Sequence, residues 1–200
     1  MNEPVTLAAL HAAVLDHLRG RTDTVVFGAQ AVNAYVDEPR MTGDVDVMAL
    51  DGAQLAEDLR ELLAERFQIA ARVREVVGGL AFRVYQRRAP KNRHLVDVRQ
   101  VAVLPPCVVI AGVQVPTPDE LIAEKVIAWS VRRRQPKGGT DWRDIAMLLL
   151  LFPELHSLSG AVSARLSAAG VPGPVLDLWK EICLTTIEAP DSEDVDEDDG

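Results

Sequence analysis

Two stretches decide the reading of this chain: Thr24-Val25-Val26-Phe27-Gly28-Ala29-Gln30-Ala31 and, further on, Arg40-Met41-Thr42-Gly43-Asp44-Val45-Asp46-Val47. Thr24 to Phe27 reads as a short buried strand. Gly28 turns the chain into a helix through Ala31 and Tyr35, which Asp37-Glu38-Pro39 breaks. Val45, Val47 and Ala49 alternate with Asp44, Asp46 and Met48, so a second strand is predicted with a polar face at its start. Residues i and i+2 of a strand project on the same side, which points Asp44 and Asp46 together. Carboxylates that close repel each other, and a divalent cation relieves the conflict. Mg²⁺ takes oxygen ligands, commonly one or two carboxylates plus substrate phosphates. Gly28, between a strand and a helix N-terminus, offers backbone N–H groups and the helix dipole to a triphosphate, and lets the backbone approach closely.

A third acid, Asp97, sits in a predicted strand from His94 to Val101, on the expected edge of the same sheet. An acid inside a β run requires a partner or a metal. Each feature alone has an ordinary reading: exposed strand acids, a turn glycine, and a salt bridge from Asp97 to Arg99 or Arg83. In this order and on these elements, Asp44, Asp46 and Asp97 make a candidate two-metal site for phosphoryl or nucleotidyl transfer. One metal would activate the attacking oxygen and the other would steady the leaving pyrophosphate.

Outward from this centre, Val5 to Arg19 and Gln54 to Phe67 show helical spacing of apolar residues. Ile69 to Val77 and Leu80 to Gln86 read as a hairpin about Gly78-Gly79, and Val108 to Val115 as a further short pair of strands around Gly112. The first ~115 residues thus read as α+β, with the strands in one sheet and helices against it. Beyond Pro116 the pattern is helical only. Thr117-Pro118-Asp119-Glu120 combines a Thr N-cap, Pro at N1 and Glu at N3, a strong helix start. That helix runs to about Arg132. A basic Pro/Gly loop follows to Gly139, then a helix from Asp141 to Phe152 and weaker helices over 157–168 and 174–186. The expected domains are 1–116, α+β; 117–188, a helical bundle; and 189–200, an acidic disordered tail.

Length suits one domain or one domain with a helical appendage. Hydrophobic content of 48% and charged content of 26% are globular values. The longest apolar run, Ala146 to Phe152, is far below the ~18 residues a membrane helix needs. Met1-Asn2-Glu3-Pro4 has neither a basic region nor an apolar core, so no signal peptide is expected. Cys107 and Cys183 lack pairing or metal spacing, and a reduced cytoplasmic setting follows. The net charge of −9 misleads: seven acids lie in 191–200 with no base, which leaves −2 for residues 1–190. Acidity therefore does not exclude a nucleic-acid partner. His11 and His17, six apart, share no face as zinc ligands would and read as surface residues.

Strand, Gly, helix, R-x-T-x-D-x-D and a later strand Asp resemble the nucleotidyltransferase superfamily with the polymerase-β-like fold. Gly28-Ala29-Gln30-Ala31-Val32-Asn33 followed by Pro39-Arg40-Met41-Thr42-Gly43-Asp44-Val45-Asp46 is similar to the AbiEii-like nucleotidyltransferase toxins. So are Pro118-Asp119-Glu120-Leu121 with Lys125, and Arg132-Arg133-Arg134 to Lys137 with Asp141-Trp142-Arg143-Asp144. The resemblance covers about residues 24–150. It implies a mixed sheet with flanking helices followed by a helical bundle, and Mg²⁺-dependent transfer from an NTP.

By that resemblance Asp44, Asp46 and Asp97 bind one or two Mg²⁺, and Asp97 can serve as base. Gly28, Ala29 and Thr42 line the phosphate pocket, Lys125 neutralises the triphosphate, and Asp141 and Asp144 shape the site. Arg40 pairs with the acids or touches phosphate. From the residues alone, Lys125 reads equally as snorkelling to solvent, and Asp141 and Asp144 as capping residues. Two departures stand out. Gly28-Ala29 lacks the hydroxyl of the usual Gly-Ser, and the Val36-Asp37-Glu38 insertion alters the loop before Arg40.

Arg72, Arg74, Arg83, Arg87 and Arg88 give the hairpin a basic face with Tyr85, which could hold RNA phosphates or be a solvated sheet face. Some relatives extend tRNA 3′ ends, so the resemblance implies tRNA as acceptor and an antitoxin protein as partner; the short apolar runs point to no membrane. The alternatives are transfer to a small molecule or protein, or a degenerate nucleotidyltransferase fold acting as a binding module.

Overall fold

The computed structural model describes residues 5–76 and 78–189. The acidic segment assigned to 189–200 lies, beyond Ala189, outside the described residues. Helix α1 (Leu7–Leu18) starts where the Thr6 hydroxyl accepts from the Ala9 N–H. It buries Leu10, Val14 and Leu18, a stripe at helical spacing. Strand β1 (Thr24–Phe27) runs directly into α2 (Gly28–Tyr35), as the sequence predicts. After β2 (Val45–Ala49), Asp51 caps α3 (Gly52–Phe67) by accepting from the Gln54 N–H. The hairpin is β3 (Ala71–Val76) and β4 (Ala81–Gln86), followed by β5 (Arg93–Gln100).

The sheet order is β1-β2-β5-β4-β3, with β2 and β5 parallel and the other pairs antiparallel. Two sequence expectations change here. Asp97 lies on the central strand β5, not on an edge. The last pair, β6 (Cys107–Ile110) and β7 (Val113–Pro116), forms its own two-stranded sheet rather than extending the first. Gln114 of β7 holds that ribbon beside β1, donating to the carbonyls of Arg21 and Thr24. Val45, Val47, Ala49, Val84, Val96 and Val98 form the buried face of the main sheet. Helix α3 covers that face, with α1 beside it. The opposite face carries the acids.

Every later regular element is helical. The long pair is α4 (Pro118–Arg132) and α5 (Pro136–Leu151), followed by α6 (Ala161–Ala168) and α7 (Gly173–Leu184). Thr117 precedes α4, with Pro118 opening it, but makes no side-chain cap bond. Helix α5 begins five residues before the expected Asp141. Local composition hid this, since Gly138-Gly139 reads as loop. Here Gly138 is required by close packing: a Cβ would collide with the Arg132 carbonyl at the tight α4–α5 turn. One continuous cluster of buried side chains runs from the sheet into these helices, ending at Trp179 and Ile182. Tyr35 ties the two parts, its hydroxyl donating to the Pro116 carbonyl at 2.7 Å.

Candidate active site

Residues directly opposed on neighbouring strands share a face of the sheet. The register therefore sets out one row across five strands: Phe27 on β1, Asp46 on β2, Asp97 on β5, Arg83 on β4 and Arg74 on β3. Phe27 is followed at once by Gly28, so the N-terminus of α2 sits against Asp46. The fit is tight. A Cβ on Gly28 would overlap the Asp46 carboxylate, and Gly28 adopts φ +68°. Gly28→Ala would strain the backbone and displace Asp46 together. We expect it to weaken metal-dependent NTP binding at least about tenfold, a contact of some 1.4 kcal/mol. Isothermal titration with a non-hydrolysable NTP checks this, and unchanged affinity would refute the packing argument.

Asp44 lies in the bend just before β2, and the turn that delivers it is braced. Gln30 donates to the Thr42 hydroxyl at 3.1 Å, and Thr42 donates to the Asp44 carbonyl at 3.0 Å. Thr42 is thus occupied in holding the Asp44 turn, where the sequence suggested a phosphate contact. The same Gln30 amide lies 3.2 Å from His11 Nδ1. His11 is only 8% exposed, with Nε2 buried and unpaired among the described residues. This corrects its reading as a surface residue. Burial lowers its pKa, opposed by the charge of Asp44. Asn33 was also missed: its amide donates to the Arg40 carbonyl and accepts from the Arg40 N–H, closing the inserted loop.

The helices bring the opposing charges. Lys125 is 6% exposed and its Nζ stands 2.7 Å from Asp144 Oδ2, so it does not snorkel to solvent. Arg40 grips the same carboxylate with both arms at 2.8 Å. Asp144 is fully buried; burial pushes its pKa up, but Arg40 and Lys125 outweigh this and hold it below the usual range. Asp141 pairs with Arg132, whose Nη2 donates to Oδ1 at 3.0 Å. Both aspartates fall well inside α5, so neither caps the helix. Lys137, at the start of α5, is among the charges that lower the Asp46 pKa. Glu124 on α4 is another residue the sequence reading passed over. Burial, then Glu120, raises its pKa to about 7, and Asp46, Arg99 and Lys125 all lie within its electrostatic reach.

Among the described residues, no three acidic, His or Cys side chains already form a cation cage. Asp97 is engaged by Arg83, whose Nε and Nη2 stand 2.6 and 2.8 Å from its two oxygens. The donor set still suits a hard cation. Asp46 is pushed up to about 6 by burial, then by the charges of Asp44 and Asp97. A carboxylate crowded by two others at a sheet face gains most from a divalent ion. Arg72 and Arg74 are exposed on β3, on the side of the sheet that bears the acids. Arg87 and Arg88 are exposed beyond the end of β4, outside that row. No helix among the described residues is long and apolar enough to cross a membrane.

The fold is similar to that of the Megavirus polyadenylate synthase, at a TM-score of 0.58 and 10% identity. That match covers 74% of this chain and 32% of the synthase, so the chain spans about a third of the synthase's length. JHP933 from Helicobacter pylori superposes with a TM-score of 0.56 at 14% identity, covering 88% of this chain and 87% of that one. At these identities the likeness is one of fold. No curated protein sequence matches the chain. A family profile described as nucleotidyl transferase AbiEii toxin, type IV TA system, matches residues 12–199. That match takes in both the strand-borne acids and the α4–α5 charge cluster, and the chain belongs to this family of nucleotidyltransferases.

Proposed function

We propose that the chain transfers a nucleotide from an NTP to a hydroxyl of RNA, with the tRNA 3′ end as the first acceptor to test. The observation that carries this reading is the row Asp46–Asp97–Arg83–Arg74 beside Gly28, where a carboxylate pair meets a phosphate-binding turn at one end and a basic face at the other. Asp44, Asp46 and Asp97 would hold one or two Mg²⁺. When bound, Mg²⁺ neutralises charge on the triphosphate and the leaving pyrophosphate.

The backbone N–H groups at Gly28 and Ala29 receive phosphate oxygens at the α2 N-terminus. Lys125 faces the same charge from α4, and Asp144, itself held by Arg40, fixes its ammonium. Asp97, beside Asp46, accepts the proton of the attacking hydroxyl as its oxygen bonds the α-phosphorus and pyrophosphate departs. Arg72, Arg74 and Arg83 supply the sheet-face cations that an RNA backbone requires. NTP and tRNA meet in the cytoplasm, the compartment this reading assigns, and an antitoxin protein is the partner the family suggests.

The test incubates protein with Mg²⁺, each α-labelled NTP in turn, and total tRNA, with Asp44→Ala/Asp46→Ala as control. Label should enter RNA with wild type only. Label on a protein or small molecule would move the acceptor, and no transfer with any acceptor would sink the proposal.

A further inference from the structure

We infer that Arg83 is a positioning residue that couples acceptor binding to the release of Asp97. An RNA phosphodiester and the Asp97 carboxylate compete for its guanidinium. The inference rests on the RNA-transfer reading above and deepens it.

Two independent observations support it. First, Asp97 sits beside Asp46 on the adjoining parallel strand, yet both its oxygens are bound by Arg83 at 2.6 and 2.8 Å. The pair is partly open to solvent, with side chains 27% and 30% exposed. A two-armed contact of this geometry suits phosphate as well as carboxylate, and its exposure leaves it open to exchange. Second, Arg83 lies directly opposite Arg74 on β3. Like charges directly opposed across strands are unfavourable. Asp97 offsets the charge of Arg83, but among the described residues Arg74 itself has no ion-pair partner. An anion held between Arg74 and Arg83 relieves the repulsion and withdraws Arg83 from Asp97. Asp97 is then free to act beside Asp46. Without acceptor the third carboxylate stays occupied, which limits transfer of the nucleotide to water.

The exchange gives the two partners opposite signatures. Asp97→Asn frees Arg83 and should tighten binding of a labelled single-stranded RNA oligonucleotide about fivefold or more, while Arg83→Gln weakens it. Any lost acid would favour RNA somewhat, so Asp46→Asn is the reference: it removes the same charge from the same row without freeing Arg83. The excess of Asp97→Asn over Asp46→Asn should vanish in the Arg83→Gln/Asp97→Asn double variant. Fluorescence anisotropy of the full chain reads all four.

A second arm uses Mn²⁺ and protein without RNA, followed by electron paramagnetic resonance. Arg83→Gln should bind Mn²⁺ several-fold tighter than wild type, because Asp97 is released to the ion. Arg83→Lys, which keeps the charge but loses the fork, should fall between and guards against a folding defect in Arg83→Gln. Equal RNA gains for Asp97→Asn and Asp46→Asn, or no tighter Mn²⁺ binding by Arg83→Gln and Arg83→Lys, would overturn the inference. Mn²⁺ binding indifferent to Asp46→Asn would instead refute the metal-dependent transfer reading, while the RNA titrations still report on the exchange.

Discussion

Asp46→Asn should abolish nucleotide transfer and make the protein harder to unfold. The loss follows from its place: it is the acid packed against Gly28 and flanked by Asp97, where metal and triphosphate would meet. Removing one charge-organising group from such a centre costs about 10²–10³ in rate, and the loss of the proposed metal ligand should reach at least that. The gain in stability follows from the pKa. An ordinary aspartate is half deprotonated at about pH 4, whereas the pKa of folded Asp46 is pushed up to about 6. Between these values the folded state binds more protons than the unfolded one, so stability falls as pH rises through that window and stays lower above it. The full shift corresponds to about 3 kcal/mol at most, and Asn, which cannot ionise, should recover about 1–2 of this at pH 8. Glu124, raised to about 7, acts in the same direction. Thermal melts in EDTA at pH 5 and pH 8 check this. Wild type should lose more than Asp46→Asn across the interval, and added Mg²⁺ should restore wild type alone. Equal pH slopes would show that Asp46 carries no such penalty.

The parts of this site that the sequence displays are local ones. Strand alternation at 44–49 and the Gly28 junction locate β1, α2 and β2 because each signal is written within a few residues. Arg83 and Asp97 could be paired only as one option among others, since cross-strand register decides it and register is a property of the whole sheet. The ion pair between Arg40 and Asp144 joins residues 104 apart in the chain, beyond any periodicity argument. Local rules misplaced the start of α5 for a related reason. Gly138-Gly139 reads as loop, but packing against the end of α4 overrides propensity there. His11 looked like a surface residue because a lone histidine gives no sign of whether its helix face is covered. The side chain that meets its ring, Gln30, belongs to another helix.

Asp144→Ala should be the most destabilising single change in the site. The carboxylate is fully buried and receives Arg40 at 2.8 Å on each oxygen and Lys125 at 2.7 Å. Its removal leaves the Lys125 ammonium enclosed without a counter-charge, and breaking a buried pair by deleting one partner costs about 3–5 kcal/mol. Asp144→Asn keeps the shape and one acceptor and should cost less, about 1–3 kcal/mol. The pH signature is opposite to that of Asp46. Because the Asp144 pKa is held down, its stabilisation is present above the ordinary carboxylate range and is lost as pH falls through its lower folded value. Urea melts of wild type, Asp144→Ala and Asp144→Asn at pH 7 measure the loss, and a wild-type midpoint for Asp144→Ala would refute the argument. A Lys125→Met/Asp144→Leu double variant separates structure from chemistry. It removes the buried Lys125–Asp144 pair and leaves Arg40, 20% exposed, to turn to solvent, so it should recover part of the stability but not transfer, because the cation proposed to meet the triphosphate is gone.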